Sequence, residues 1–346
     1  MTADATQSTP LVLVVEGSGG DRPPGVPPEP SPARFAFAAG LSDVRRLLPE
    51  ADVALLWDFR SGVLRDAWPA ANRLRWVHIA GAGVDATMFP ELVAGDIVLT
   101  NARGVFDHGM AEYALALLLA WAKDVPRTLA LQAERVWQHR RTDTLDGKRL
   151  VVVGPGSIGR AVARLAASFG MHVSAVGRCA REDDPDFERV HGGGDLRRAL
   201  ADADYIVLTV PLTPSSRDLI GPDEIAAMAP TARLVNLARG GVIDEDALIE
   251  ALAEGRIAGA ALDVFRDEPL DRASPLWRMP NVIVSPHMSG DLLGYQEALA
   301  RQFLDNLDRW VSGRPLRNVV DKRLGFVPSE AGTPSARRPD AGRPGT

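Results

Sequence analysis

The sequence is poor in cysteine and tyrosine and has no long apolar run, and these shortages narrow its function. A single cysteine in 346 residues, Cys179, permits no internal disulfide and fits a reducing compartment. The apolar stretch Leu11–Val15 is too short for a signal-peptide core, and Asp4 stands where a basic start is usual. No segment approaches the roughly 20 apolar residues of a membrane span. The expected location is therefore the cytoplasm, away from membranes. Basic residues are outnumbered, 39 Lys and Arg against 45 Asp and Glu, and the net charge of −6 predicts no nucleic-acid surface. No His or Cys pair has metal-site spacing, and neither a Gly-x-Ser-x-Gly elbow nor a Walker lysine occurs.

A hydrophobic content of 46% against 24% charge is that of a globular chain, and the length suits two domains. Short β-type runs at Leu11–Val15, Arg34–Ala38, Val53–Trp57, Trp76–Ile79 and Ile97–Thr100 alternate with helical stretches. Ser42 is read as the cap of a helix through Leu48. Gly17–Pro32 is a Gly- and Pro-rich loop. Met110–Lys123 is apolar nearly all round and must be buried, in part by a second subunit. Asp124–Asp146, with Trp137, reads as an exposed arm. A second series of strands begins at Lys148 and runs through Leu150–Val153, Val173–Val176, Tyr205–Val210, Arg233–Asn236, Gly259–Val264 and Val282–Ser285. Asp244 should cap a helix over 245–254, and Asp291–Ser312 should form a long amphipathic helix. Strand–helix alternation of this kind predicts an α/β protein with two Rossmann-like or flavodoxin-like domains, parallel sheets and a cleft between them. The first would comprise 1–101 plus 291–325. The second would be 102–290, with a dimerisation arm at about 110–146, and 326–346 would be a disordered tail.

The second series opens on Gly154-Pro-Gly156-Ser157-Ile158-Gly159, placed between a strand and a helix. In that context the first glycine permits a tight turn. The second lets a pyrophosphate reach the backbone, and the third lets helix pack on strand. The helix N-terminus then offers free N–H groups to the phosphates. An acid at the end of the next strand normally holds the ribose of NAD. Here the strand ends at Val176, followed by Gly177, Arg178, Cys179, Ala180 and Arg181. Two arginines without an acid favour a 2′-phosphate, so NADP(H) is the preferred cofactor and NAD(H) a possible one.

Three polar residues each follow a separate strand of this series: Arg239 in Asn236-Leu-Ala-Arg239-Gly240-Gly241, Glu268 in Asp263-Val-Phe-Arg-Asp-Glu268-Pro269, and His287 in Ser285-Pro-His287. Ligands gather at the carboxyl ends of parallel strands. A guanidinium can hold a carboxylate in two prongs and polarise a carbonyl. An imidazole can donate a proton at neutral pH, and a neighbouring carboxylate would raise its pKa and orient it. The set suits reduction of a 2-keto acid. Each residue also has an ordinary structural reading, as a turn, a surface loop or a buried histidine.

With these motifs the sequence resembles the D-isomer-specific 2-hydroxyacid dehydrogenases from about Leu74 to Asn318. The resemblance rests on Ala80-Gly-Ala82-Gly83-Val84-Asp85, Thr100-Asn-Ala-Arg-Gly104, Met110-Ala-Glu112-Tyr, Leu145-Asp-Gly147-Lys148, the glycine fingerprint, Val210-Pro211-Leu-Thr213, Asn236-Leu-Ala-Arg239, Leu262-Asp263-Val-Phe and Ser285-Pro-His287. The first 70 residues match only in strand pattern. The resemblance implies that Arg239, Glu268 and His287 are catalytic. It also implies that backbone N–H groups of Ala82, Gly83 and Val84 hold the substrate carboxylate. On the same ground Asp263 contacts the nicotinamide, Val210 and Pro211 wall the adenine side, and Ala238 and Gly290 complete the cofactor set. A small 2-keto or 2-hydroxy acid is the implied substrate and a homodimer the implied assembly. NADPH use points to the glyoxylate/hydroxypyruvate reductase branch. The loop Trp57-Asp-Phe59-Arg60-Ser61 fits no single substrate: Trp57 and Phe59 would line the pocket and Arg60 meet a second anion, or Trp57 packs and Arg60 is solvated. Phosphite or formate dehydrogenase on the same scaffold, or a nucleotide-sensing corepressor, are the alternatives; Glu268 speaks against formate dehydrogenase, whose relatives carry Gln there.

Overall fold

The computed structural model describes residues 9–17, 19–58 and 62–328. Strands β1 (Leu11–Val15), β2 (Arg34–Ala38), β3 (Val53–Leu56), β4 (Trp76–Ile79) and β5 (Val98–Asn101) form one sheet in the order β2-β1-β3-β4-β5. Strands β6 (Arg149–Val153), β7 (His172–Val176), β8 (Arg189–His191), β9 (Tyr205–Leu208), β10 (Arg233–Asn236), β11 (Gly259–Leu262) and β12 (Val282–Val284) form the other, in the order β12-β11-β10-β9-β6-β7-β8. Every pairing between these strands is parallel. Parallel strands need crossovers, which here are mostly helices, and both faces are therefore covered.

The helices are α1 (Leu41–Leu47), α2 (Val63–Ala67), α3 (Pro90–Ala94), α4 (Asp107–Ala122), α5 (Val125–Glu134), α6 (Ser157–Ser168), α7 (Leu196–Ala201), α8 (Pro222–Ala227), α9 (Glu245–Ala253) and α10 (Tyr295–Val311). Successive strand residues point to opposite faces, so each sheet feeds two cores. In the first sheet Leu13, Val15, Leu56 and Ile79 meet α1, α2 and α3, while Val12, Val14, Leu55 and Trp76 meet Leu299, Phe303 and Leu307 of α10. In the second sheet Leu150, Val152 and Val207 pack on α4 and α6, and Val153, Leu208 and Leu234 on α7, α8 and α9. The apolar α4 is thus buried by α6 and the sheet through Ala111, Ala114, Leu115 and Leu118.

Several boundaries differ from the sequence reading. Ser42 caps nothing: α1 begins at Leu41 behind Gly40, with no side-chain cap bond. Asp244 does cap α9, accepting from the Ala247 N–H. The long last helix starts at Tyr295 rather than Asp291, because Gly294 adopts φ +84° and breaks it. The arm is itself partly helical as α5, and beyond it Trp137 is fully exposed. Strand β8 carries no clear apolar run and escaped the sequence pattern. The tail boundary at 326 falls inside an ordered turn, since Phe326 pairs with Asp321 and Val327 packs on the first core. Residues 329–346, Phe59, Arg60 and Ser61 lie outside the described residues. Trp57 is buried in the core under α10 and donates to Asp21, which also accepts from Gln296 of α10. Among the described residues no helix is long and apolar enough to cross a membrane.

Candidate active site

Neighbouring strands β10, β11 and β12 end on the same rim and deliver the three polar residues in turn. After β10, Asn236 shapes the turn: its side chain accepts from the Ala238 N–H at 3.0 Å and donates to the Arg239 carbonyl at 3.1 Å. Arg239 then reaches across to the first sheet. Its Nε donates to Asp85 Oδ1 at 3.1 Å, and Nη1 donates to the Ala238 carbonyl at 2.9 Å. Gly83 sits against this guanidinium so closely that a Cβ there would overlap it. Asp85 was quoted in a motif without a role; the signal was present, but its partner lies 154 residues away.

After β11, Glu268 folds back so that Oε1 accepts from the Phe265 N–H at 3.1 Å. Its Oε2 lies 2.7 Å from Nδ1 of His287. An ionised carboxylate only accepts, so Nδ1 carries the proton toward it. The His287 backbone adopts φ +54°, and its N–H donates to the Asp263 carbonyl at 2.7 Å. His287, Glu268 and Arg239 are each about one-fifth exposed, enough for a small molecule to reach them.

Asp263 lies at the end of β11, beneath the loop that follows β12. Its side chain is fully buried, and its oxygens accept from Ser285 Oγ at 2.6 Å, Met288 N–H at 3.0 Å and Ser289 N–H at 2.9 Å. It therefore braces the loop that carries His287.

The fingerprint has the shape a dinucleotide needs. Gly154 holds φ +109°, and a Cβ there would come within 2.9 Å of the backbone of Thr209 and Val210. Gly159 is closed by the Gly154 carbonyl, whereas a Cβ on Gly156 would meet nothing within 4 Å, the open side by which a phosphate could approach. Helix α6 begins immediately after, at Ser157. Ser157 Oγ, however, donates to Asp107 Oδ1 at 3.0 Å, at the start of α4. Burial pushes the Asp107 carboxyl up, against that hydrogen bond. Sequence reading missed Asp107, since nothing in its local motif marked it. Ile158 follows within the first turn of α6. Val210 lies against Gly154, and the Pro211 carbonyl accepts from Ser216.

A model of the "D-isomer specific 2-hydroxyacid dehydrogenase, NAD binding domain" matches residues 115–289. A glyoxylate reductase of Thermococcus gammatolerans is 35% identical over 263 residues, covering 73% of this chain and 78% of the relative. A D-3-phosphoglycerate dehydrogenase of Methanocaldococcus jannaschii is 35% identical over 290 residues, 82% of this chain but 55% of the relative, so the chain spans about half the length of that protein. The crystal structure of a D-isomer specific 2-hydroxyacid dehydrogenase from Xanthobacter autotrophicus Py2, in complex with NADPH and MES, is 33% identical and superposes with a TM-score of 0.76, covering 92% of this chain and all of that one. The chain belongs to the D-isomer-specific 2-hydroxyacid dehydrogenase family.

Within this dehydrogenase the remaining expected residues are distributed as follows. Ala82, Gly83 and Val84 form the loop after β4 that faces Arg239, and the Ala82 carbonyl accepts from Asn101 at 2.6 Å. Ala238 is buried beside Arg239, and Gly290 packs against Phe106, a Cβ there falling 2.8 Å from the ring. Arg178 is exposed after β7. Arg181 turns instead to Asp184, at 3.5 Å, whose carboxyl is held below the usual range chiefly by Arg160. His108 pairs with Glu112 along α4 at 3.0 Å.

Proposed function

We propose that this dehydrogenase reduces a small 2-keto acid to the (R)-2-hydroxy acid with NADPH, with NADH as a poorer cofactor. The observation that carries the reading is the Glu268–His287 pair on strand ends neighbouring that of Arg239, whose guanidinium crosses to the Gly83 loop. Arg239 and the N–H groups of Ala82, Gly83 and Val84 bind the substrate carboxylate, and Arg239 polarises the keto oxygen. Glu268 fixes the imidazole through Nδ1, so the other nitrogen, Nε2, hands its proton to that oxygen. A bound nicotinamide supplies the hydride. Gly154, Gly156, Ser157, Ile158 and Gly159 hold its pyrophosphate at the start of α6, with Val210 and Pro211 beside the adenine.

The preference for NADPH rests on Gly177 and Arg178. Gly177 offers no carboxylate to grip an unphosphorylated ribose, and a Cβ there would lie 3.0 Å from Pro155 Cγ, so any side chain would need the proline ring to give way. The related enzyme from Xanthobacter autotrophicus is in complex with NADPH. Residues 1–101 with 291–325, and 102–290, act as two bodies that close on the substrate and exclude water. The arm, with Val125, Leu129, Val136 and Trp137 exposed, is the surface for a second copy of the chain.

The test is the loss of reduced-nicotinamide absorbance against glyoxylate, hydroxypyruvate, pyruvate and longer 2-keto acids, with NADPH and NADH in parallel. His287→Ala should lower kcat/KM by about 10²–10⁴-fold with cofactor affinity retained. No turnover on any keto acid, or an equal loss of cofactor binding in the variant, overturns the reading.

A further inference from the structure

The segment after α10 returns to the first sheet and then leaves it. Val320 donates to the Leu99 carbonyl at 2.8 Å beside β5, and Lys322 Nζ is clamped by the carbonyls of Leu92, Gly95 and Ile97. Between these anchors and Val327, the chain turns through Asp321–Phe326, closed by Gly325 N–H on Asp321 at 2.8 Å and Asp321 N–H on Phe326 at 3.1 Å. Arg103 Nη1 holds the far side through the Pro328 carbonyl at 3.1 Å. This turn touches the second sheet at two places. A Cβ on Gly325 would lie 3.4 Å from Thr213, in the loop that follows β9. The Phe326 ring lies under the Arg178 guanidinium, 4.9 Å from centroid to Cζ, in the loop that follows β7.

Strands β7 and β9 are the two neighbours of β6, whose end carries the glycine turn. A segment rooted in the first sheet therefore reaches the loops on both sides of the nucleotide turn. A guanidinium held over a ring by the cation–π attraction spends no N–H donor on it, so the donors can still fork onto a phosphate. Among the described residues Arg178 has no carboxylate partner, whereas Arg181 is engaged by Asp184. The ring thus restricts a long, exposed side chain without consuming its hydrogen-bonding edge, which reduces the ordering cost of gripping an anion.

We propose that Phe326, from the C-terminal segment, is a positioning residue for cofactor selectivity: it holds Arg178 in place for the 2′-phosphate of NADPH. The proposal rests on the NADPH reading above and adds to it that discrimination between the cofactors depends on a turn outside the nucleotide-binding sheet. The ring acts through its π face, so bulk alone does not replace it.

The experiment measures inhibition constants of 2′,5′-ADP and 5′-AMP, two probes that differ only in the 2′-phosphate, for the full chain and the variants Phe326→Leu, Phe326→Tyr and Arg178→Ala. Phe326→Leu should weaken 2′,5′-ADP about two- to fivefold, the value of one exposed cation–π contact, and leave 5′-AMP unmoved. Phe326→Tyr should restore wild-type discrimination. Arg178→Ala should weaken 2′,5′-ADP at least about tenfold. If Arg178→Ala abolishes discrimination but Phe326→Leu leaves it intact, or weakens both probes equally, the role of Phe326 is overturned while the NADPH reading stands. If Arg178→Ala changes neither probe, the NADPH reading falls and this proposal with it.

Discussion

Acidification from pH 7 to pH 5 should remove about 2 kcal/mol of stability from the first sheet through one side chain, His78. This histidine lies on β4 with no exposed surface, edge-on to Trp76 and tilted against Phe303. Its Nδ1 is 2.8 Å from Thr100 Oγ1, and its Nε2 has no partner among the described residues. Burial without a counter-charge lowers its pKa from 6.5 to about 3. The folded state therefore keeps the ring neutral, while the unfolded chain takes up a proton as the pH falls through 6.5. Stability is full above that value, falls by about 1.4 kcal/mol per pH unit below it, and stops falling once the folded state also protonates, near 3. The assay is urea unfolding followed by tryptophan fluorescence at several pH values, for the wild type and His78→Leu. The variant removes this titration and keeps the others, and Thr100 Oγ1 still accepts from Trp76 Nε1 at 2.8 Å. The stability of the wild type minus that of the variant should therefore fall by about 2 kcal/mol on going to pH 5. Parallel pH profiles would refute the argument, for they would mean that His78 reaches water or a carboxylate when charged.

Two further outcomes follow from the site. Asp263→Asn sets an amide NH₂ against a backbone N–H that the carboxylate now satisfies, so stability should fall by about 1–3 kcal/mol, seen as a lower Tm, with a loss of kcat as the His287 loop shifts. An unchanged Tm and kcat would show that the brace is dispensable. Gly83→Ala forces Arg239 away from the loop after β4, and the KM for the keto acid should rise about tenfold or more while cofactor affinity holds, as measured by steady-state kinetics and fluorescence titration. A wild-type KM would remove Arg239 from the carboxylate site.

Much of the fold was legible because parallel strands are buried on both faces and read as short apolar runs. Residues Leu11–Val15, Trp76–Ile79 and Arg233–Asn236 were bounded correctly for that reason. The polar trio was legible because each member sits a few residues past such a run. What escaped depends on distant parts of the chain. Asp85 meets Arg239 across the two sheets, Asp107 meets Ser157 across two helices, and Phe326 finds Arg178 from the far end of the sequence. Asp263 shows the same limit: nothing in its motif announces that Ser285, Met288 and Ser289, 22 to 26 residues on, all donate to its carboxylate.

The left-handed backbone at His287 sets a trade-off between durability and chemistry. A side chain in that region costs on the order of 1–2 kcal/mol that glycine would not, and asparagine tolerates it better than most. The loop would be more relaxed with glycine in place of the imidazole, and under the proposed proton transfer that local cost is what the ring at this position requires. The same geometry governs how the residue is to be probed. An alanine keeps the strain and loses the ring, a glycine loses both, and an asparagine separates the two effects.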